Sequence, residues 1–315
     1  MAYGANPNDT FQGLGCFSGE YMTFGIDISR WQGNFNLTQA KAEGVEFVII
    51  KAGGGDDGLY RDSQFENNYA KAKKNETPCG SYFFGAATTV ERAKEEADYF
   101  LSLLAGKQFD MPVYYDVEGA MLNIEKNLLT DICLAFMERV EAAGYFTGIY
   151  GNPNSFNNHL DDNRLTHFCH WVAYWSTSMP KLKSGMSVGI WQFGGETNYI
   201  RSNKVAGVTC DQNYCYVDYS SAIKSLGLNG YPKPSPEPEP KPTLDAVEPR
   251  MGYGDFNDRV GRLQKCLKEL GYDVGNDGLY DERVRQAMKD WQAKNGLEVT
   301  GEYGIADYQK MVVSP

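Results

Sequence analysis

Between Tyr231 and Pro242 a proline stands at every second position. A backbone that lacks its N–H at alternate residues joins neither a helix nor a sheet ladder, so no single folded unit runs through this stretch. It favours the extended polyproline conformation, and eleven such residues span roughly 34 Å at about 3.1 Å each. The expected organisation is an N-terminal extension over 1–22, a large unit over 23–230, a semi-rigid proline-rich tether over 231–243 and a small unit over 244–315.

Within the large unit, apolar runs alternate with amphipathic segments. Residues 24–28, 46–51, 79–84, 111–117 and 145–150 read as buried strands, and 62–75, 90–105 and 124–143 between them read as helices. Such alternation implies a parallel sheet with helices outside it. The pattern then changes. Segments 171–175 and 188–193 are strand-like, are interrupted by Met179-Pro180 and leave no room for a crossover helix, which predicts an antiparallel hairpin. A last strand is expected within 208–217. Eight strands, with helices mainly around the first five, predict an α/β fold: a closed, irregular, TIM-like barrel. Catalytic side chains of such barrels stand at the C-terminal strand ends.

Composition narrows the function classes. The hydrophobic fraction of 42% suffices for a packed core, and the 13% of aromatic residues suits sugar stacking as well as core packing. A net charge of −11 argues against a nucleic-acid partner, whose phosphates need Lys and Arg. No apolar stretch has the length of a membrane span, so no membrane partner is expected. The start of the chain, Met1 to Cys16, has neither the basic residues nor the apolar run of a secretory signal. The seven cysteines are odd in number and scattered, so free thiols and synthesis in a reducing cytoplasm are expected. Cys210 and Cys215 have no second pair and only three histidines to join them, so neither a metal nor a cofactor is expected. The oligomeric state stays open.

The chemistry concentrates at the end of the strand Met111-Pro112-Val113-Tyr114-Tyr115-Asp116-Val117-Glu118. Side chains two apart on a strand point to one face, so Asp116 and Glu118 project together. Two carboxylates held close do not both ionise easily, which makes one a proton donor at neutral pH. Glycoside cleavage uses such a pair, one acid and one anionic partner. Asp27 near the end of the first strand and Asp211 near the last are brought beside them when the barrel closes.

With these residues in view the chain resembles glycoside hydrolase family 25, the muramidases called Chalaropsis-type lysozymes. The resemblance covers roughly residues 23–226 and rests on ordered strings: GIDISRWQG, FVIIKAGGG followed by Asp62 and Phe65, GSYFFGAATT, MPVYYDVE, GIYGN, HWVAYW, GIWQFGG and CDQN. It implies the same barrel, with Glu118 as general acid, Asp116 as its anionic partner, and Asp27 and Asp211 as positioning groups. Tyr82, Phe84, Trp175 and Trp191 are implied as floor and wall for a sugar ring. The sequence departs from common family versions at Gly53-Gly54-Gly55 and at Phe83-Phe84.

In the small unit, Val260, Leu263, Leu267 and Leu270 form a helical stripe closed by Gly271, and Val284, Ala287, Met288 and Trp291 form a second. LQKCLKELGY, DGLYDERV and WQAKNGL resemble the peptidoglycan-binding-domain-1 module, a small three-helix unit, with Asp281-Glu282-Arg283 replacing its usual glycine-proline-lysine run. The expected function is a modular peptidoglycan hydrolase that cleaves the β-1,4 bond from N-acetylmuramic acid to N-acetylglucosamine. A phage endolysin made in the host cytoplasm and acting on the wall after release is the expected setting. The alternatives are a glucosaminidase or chitinase, an autolysin, and a non-catalytic wall-binding scaffold.

Overall fold

A computed structural model describes residues 21–233 and 250–313. The extension up to residue 20, Cys16 within it, and most of the expected tether lie outside the described residues. The chain divides into two compact units, Met1–Pro234 and Ser235–Pro315.

The first unit contains strands β1 (Thr23–Ile28), β2 (Phe47–Gly54), β3 (Tyr60–Arg61), β4 (Cys79–Phe84), β5 (Val113–Asp116), β6 (Thr147–Gly151), β7 (Cys169–Ala173), β8 (Val188–Gly194), β9 (Lys204–Val205), β10 (Val208–Thr209) and β11 (Asp211–Cys215). Its helices are α1 (Leu37–Ala42), α2 (Phe65–Lys74), α3 (Val90–Leu104), α4 (Lys126–Ala142) and α5 (Tyr219–Leu226). The sheet runs β1-β11-β8-β7-β6-β5-β4-β2, and β2 pairs with β1 to close an eight-stranded barrel. The TIM-like barrel read from the sequence is the observed architecture; among the described residues α1 to α4 follow the early strands, and α5 follows the last strand, β11.

One expectation is corrected. β7 and β8 run parallel, with His170 opposite Val188 and Trp171 opposite Ile190, so they are not a hairpin. The residues between Ala173 and Val188 return along the barrel in extended and turn conformations. Fourteen residues reach far enough for this at about 3.3 Å each without a helix. The reversal comes one strand later, where β11 is antiparallel to both β8 and β1.

Alternation along the strands sorts side chains into two layers. Phe47, Ile49, Tyr114, Trp171, Ile190 and Cys215 fill the barrel, and Tyr219 and Ile223 of α5 pack onto them. Val48, Ile50, Phe83, Val113, Tyr115 and Ile149 point outward into a separate layer beneath the helices. Below the strands' N-terminal ends, the wholly buried Asn229 ties three segments together. Its Oδ1 accepts from Phe146 N at 2.6 Å, its Nδ2 donates to Met111 O at 2.9 Å, and its carbonyl accepts from Phe109 N. Asn229 holds a left-handed φ of 54°, which Asn tolerates better than other non-glycine residues.

The second unit has helices α6 (Asp258–Glu269), α7 (Glu282–Lys294) and the short α8 (Ile305–Tyr308) around Val260, Leu263, Tyr280, Met288, Trp291 and Tyr303. Asp281, the first residue of the unusual Asp281-Glu282-Arg283 run, caps α7 by accepting from Arg283 N and Val284 N. Gln264 and Gln292 do matching work. Each amide oxygen accepts from a turn glycine, Gly278 or Gly301, while each Nε2 donates into the same turn.

Candidate active site

The rim formed by the C-terminal ends of the parallel strands, and by the N-terminal end of the antiparallel β11, carries the acids. Asp27 on β1 and Asp211 on β11 are direct cross-strand partners. Asp116 is the last residue of β5, between Phe84 of β4 and Tyr150 of β6. Glu118 follows in extended conformation (φ −148°, ψ −175°) and opens the turn Gly119–Asn123 without a side-chain capping bond, so its carboxyl is not spent on the backbone. The barrel thus brings Asp27, Asp116, Glu118 and Asp211 to one mouth.

Burial and crowding push these acids upward. Asp27 rises to about 6, chiefly by burial, with Glu118 adding and hydrogen bonds from Asn213 and Gln192 opposing. Asp211 rises to about 8 through burial, then through Asp27 and Glu118. Asp116 is raised well above the usual carboxylate range, by burial first and then by Glu118, against the pull of Lys51. Burial also raises Glu118, again opposed by Lys51. Like charges directly opposite on paired strands repel, so the protons come off these groups as a coupled set. Oδ1 of Asp116 is buried and has no hydrogen-bond partner among the described residues. A mouth of this kind retains a proton near neutrality and presents negative charge beside it.

The aromatic residues divide. Tyr82 stands in the barrel, edge-on to Trp171 at 5.9 Å between ring centroids. Phe84 lies beside Asp116 in register, with Lys51 Nζ 4.6 Å from its ring centre. Trp175 follows β7 at the rim, is 39% exposed, and donates from its indole to Gln192 Oε1 at 3.2 Å. Trp191 departs from its expected role as a wall residue. It is 4% exposed and packs in the outer layer against Phe193 and Tyr214, its indole N–H given to Tyr174 O at 2.8 Å. Alternation sends its neighbour Gln192 inward instead.

Four inward residues escaped the sequence reading: Lys51, Tyr150, Gln192 and Asn213. Lys51 was the most visible, being the one charge in the apolar run of β2. Asn213 lies two residues after Asp211, on the same strand face. Gly195 is required by close approach, since a Cβ there would stand 2.0 Å from Asp211 Oδ1 and 2.6 Å from the Trp175 ring. Beside the mouth, an open cavity of about 410 Å³ is lined by Asn152, Pro153, Asn154, Ala173, Tyr174 and Trp175. Among the described residues no cluster of three or more His, Cys, Asp or Glu side chains is arranged to hold a metal ion.

Residues 26–201 match glycosyl hydrolases family 25, and residues 257–311 match a peptidoglycan binding domain. Lysozyme M1 of Streptomyces globisporus is 30% identical over 224 residues, which cover 66% of this chain and 71% of that protein. The CTP1L endolysin structure aligns with TM-score 0.55 and 26% identity, covering 64% of this chain and 70% of that one. The lysozyme of Streptomyces coelicolor aligns with TM-score 0.55 and 25% identity, over 67% of this chain and 99% of that one. With the barrel, the acidic mouth and this match over more than half its length, the chain belongs to glycosyl hydrolases family 25 and is a glycoside hydrolase.

Proposed function

We propose that the barrel is an N-acetylmuramidase that cleaves the β-1,4 bond between N-acetylmuramic acid and N-acetylglucosamine in bacterial peptidoglycan, and that the second unit holds the chain on the wall. The observation that carries the reading is the Asp116–Glu118 pair at the end of β5, in a mouth where buried carboxyls retain protons. Glu118, the less buried of the two, is the proton donor to the departing glycosidic oxygen as the C1–O bond breaks. Asp116, whose Oδ1 has no hydrogen-bond partner among the described residues, stands beside the oxocarbenium centre; burial and Glu118 raise its carboxyl, and the positive charge developing on the sugar is what favours its anion. Tyr82, Phe84 and Trp175 offer ring faces and edges to the sugar; Asp27 and Asp211 position it. The resemblance to the CTP1L endolysin supports action on the wall of a host cell after release, and among the described residues no helix is long and apolar enough to cross a membrane.

The test is chemical. Purified peptidoglycan is digested, the new ends are reduced with borohydride, and the reduced sugar is identified. Reduced muramic acid is the expected product. Reduced glucosamine would reassign the bond, and no new ends would leave the barrel a scaffold.

A further inference from the structure

We propose that Gln192 and Asn213 are positioning residues that clamp one oxygen of Asp27, Oδ2, and leave Oδ1 as the oxygen presented to the sugar. Naming a sugar as the recipient rests on the reading of the barrel as a glycosidase; the clamp itself does not. Asn213 Nδ2 donates to Asp27 Oδ2 at 2.9 Å and Gln192 Nε2 donates to the same oxygen at 3.1 Å. Among the described residues no side chain donates to Oδ1.

The direction of both amides is set by groups behind them. An indole N–H donates and never accepts, so whatever faces it must be an oxygen. Trp171 Nε1 lies 2.7 Å from Asn213 Oδ1, and Trp175 Nε1 lies 3.2 Å from Gln192 Oε1. Tyr150 OH adds a second donor to Gln192 Oε1 at 3.1 Å. With the oxygens claimed by the indoles, the two NH₂ groups have to turn toward Asp27. A flipped amide would set two donors against each other at one end and oxygen against carboxylate at the other.

The arrangement has two chemical results. First, donors on Oδ2 favour the anion, and any proton Asp27 carries sits on Oδ1, toward the mouth. Second, Trp171 is buried whereas Trp175 is at the rim, so two hydrogen bonds connect a ring available for stacking to a buried carboxyl. The titratable groups around Asp27 are Asp211 and Cys210 on the β11 side, Lys51 on β2, Tyr82 on β4, Asp116 and Glu118 from β5, and Tyr150 on β6. Three of these are carboxyls, and Glu118 among them opposes its ionisation; the two amides are the side chains that favour it.

The test is a ¹³C-carboxyl NMR titration of the full chain labelled at aspartate, with the Asp27 signal assigned by its loss in Asp27→Asn. In the parent, Asp27 is expected to titrate near 6. In Gln192→Met and in Asn213→Leu it is expected roughly one to two pH units higher, the equivalent of one lost hydrogen bond to a charged acceptor. Trp171→Phe, which leaves the clamp in place but frees Asn213 to turn, is expected to move it the same way by less. If the apolar variants fail to fold, Gln192→Glu keeps the volume and the acceptor for Trp175 and Tyr150; it is expected to raise Asp27 by at least as much. The acid limb of kcat/KM against pH is expected to follow these shifts. An Asp27 titration unmoved in the folded variants overturns the clamp even where the parent is fully active. A moved titration in a protein that releases no sugar ends sustains the clamp and rejects the functional reading.

Discussion

Asp110 lies three residues before β5 and Asp116 ends it, and both are nearly buried, 7% and 4% exposed. Asp110, at the base, is matched on every side. Lys224 Nζ is 2.9 Å away, Lys73 Nζ 3.4 Å, and Tyr231 OH donates at 2.6 Å. Burial pushes its carboxyl up, but Tyr231, Lys224 and Lys73 outweigh that, and the group stays below the usual carboxylate range. Asp116, at the mouth, has an oxygen with no partner among the described residues and is driven far the other way. One end of the barrel spends its charges on holding the fold. The other keeps them unspent, and that division follows the direction of the seven parallel strands, with β11 running against them.

The difference is broken most sharply by exchanging consequences between the ends. Glu118→Gln is expected to lower turnover of wall glycan by about 10²–10⁴, the usual weight of a general acid, with no loss of Tm. Reducing-end release and thermal melts check both halves, and near-normal turnover would remove Glu118 from its role. Asn229→Ala is expected to do the reverse. It orphans the Phe146 N–H and the Met111 carbonyl and places alanine at φ 54°, so stability should fall by roughly 2–4 kcal/mol. Activity per folded molecule at low temperature should be unchanged. A melt that shifts by less than about 2 °C would show that the base does not depend on this residue.

Which features were legible follows from the same physics. Asp116 and Glu118 could be found because a period of two brings them to one face at the end of an unmistakable strand. Asp27 and Asp211 needed only the inference that a closed barrel makes its first and last strands neighbours, and they are in fact directly opposed. Trp191 could not be oriented. Every residue of β8 is buried, so hydrophobicity along it does not mark which face looks inward. Gln192 and Asn213 carry no charge and no periodic signal; their meaning comes from the indoles behind them, which lie far away in sequence. The β7–β8 direction was missed because loop length was taken to require a helix, whereas extended chain covers the same distance in fewer residues.

The smallest effects sharpen the contrast by having opposite sign. Asp211 has a native pKa of about 8 against an ordinary 3.8. Between those values the native state holds a proton that the unfolded chain has released, so its contribution to stability is full below about pH 4 and is lost as pH rises through 8. Asp211→Asn should therefore melt a few °C, roughly 2–6, above the parent at pH 8.5 and with it at pH 4. Asp110 is held below its ordinary value, so its contribution is present at neutral pH and lost as pH falls below about 4. Its lysines are 36% and 47% exposed, which screens the pairs, so Asp110→Asn should cost only about 1 kcal/mol at pH 7 and progressively less as pH falls below about 4. Melts of the two variants against pH should therefore diverge from the parent in opposite directions as pH rises. Parallel curves would mean that the mouth's acids are paired as well as the base's, and the division between a stabilising end and a reactive end would fail.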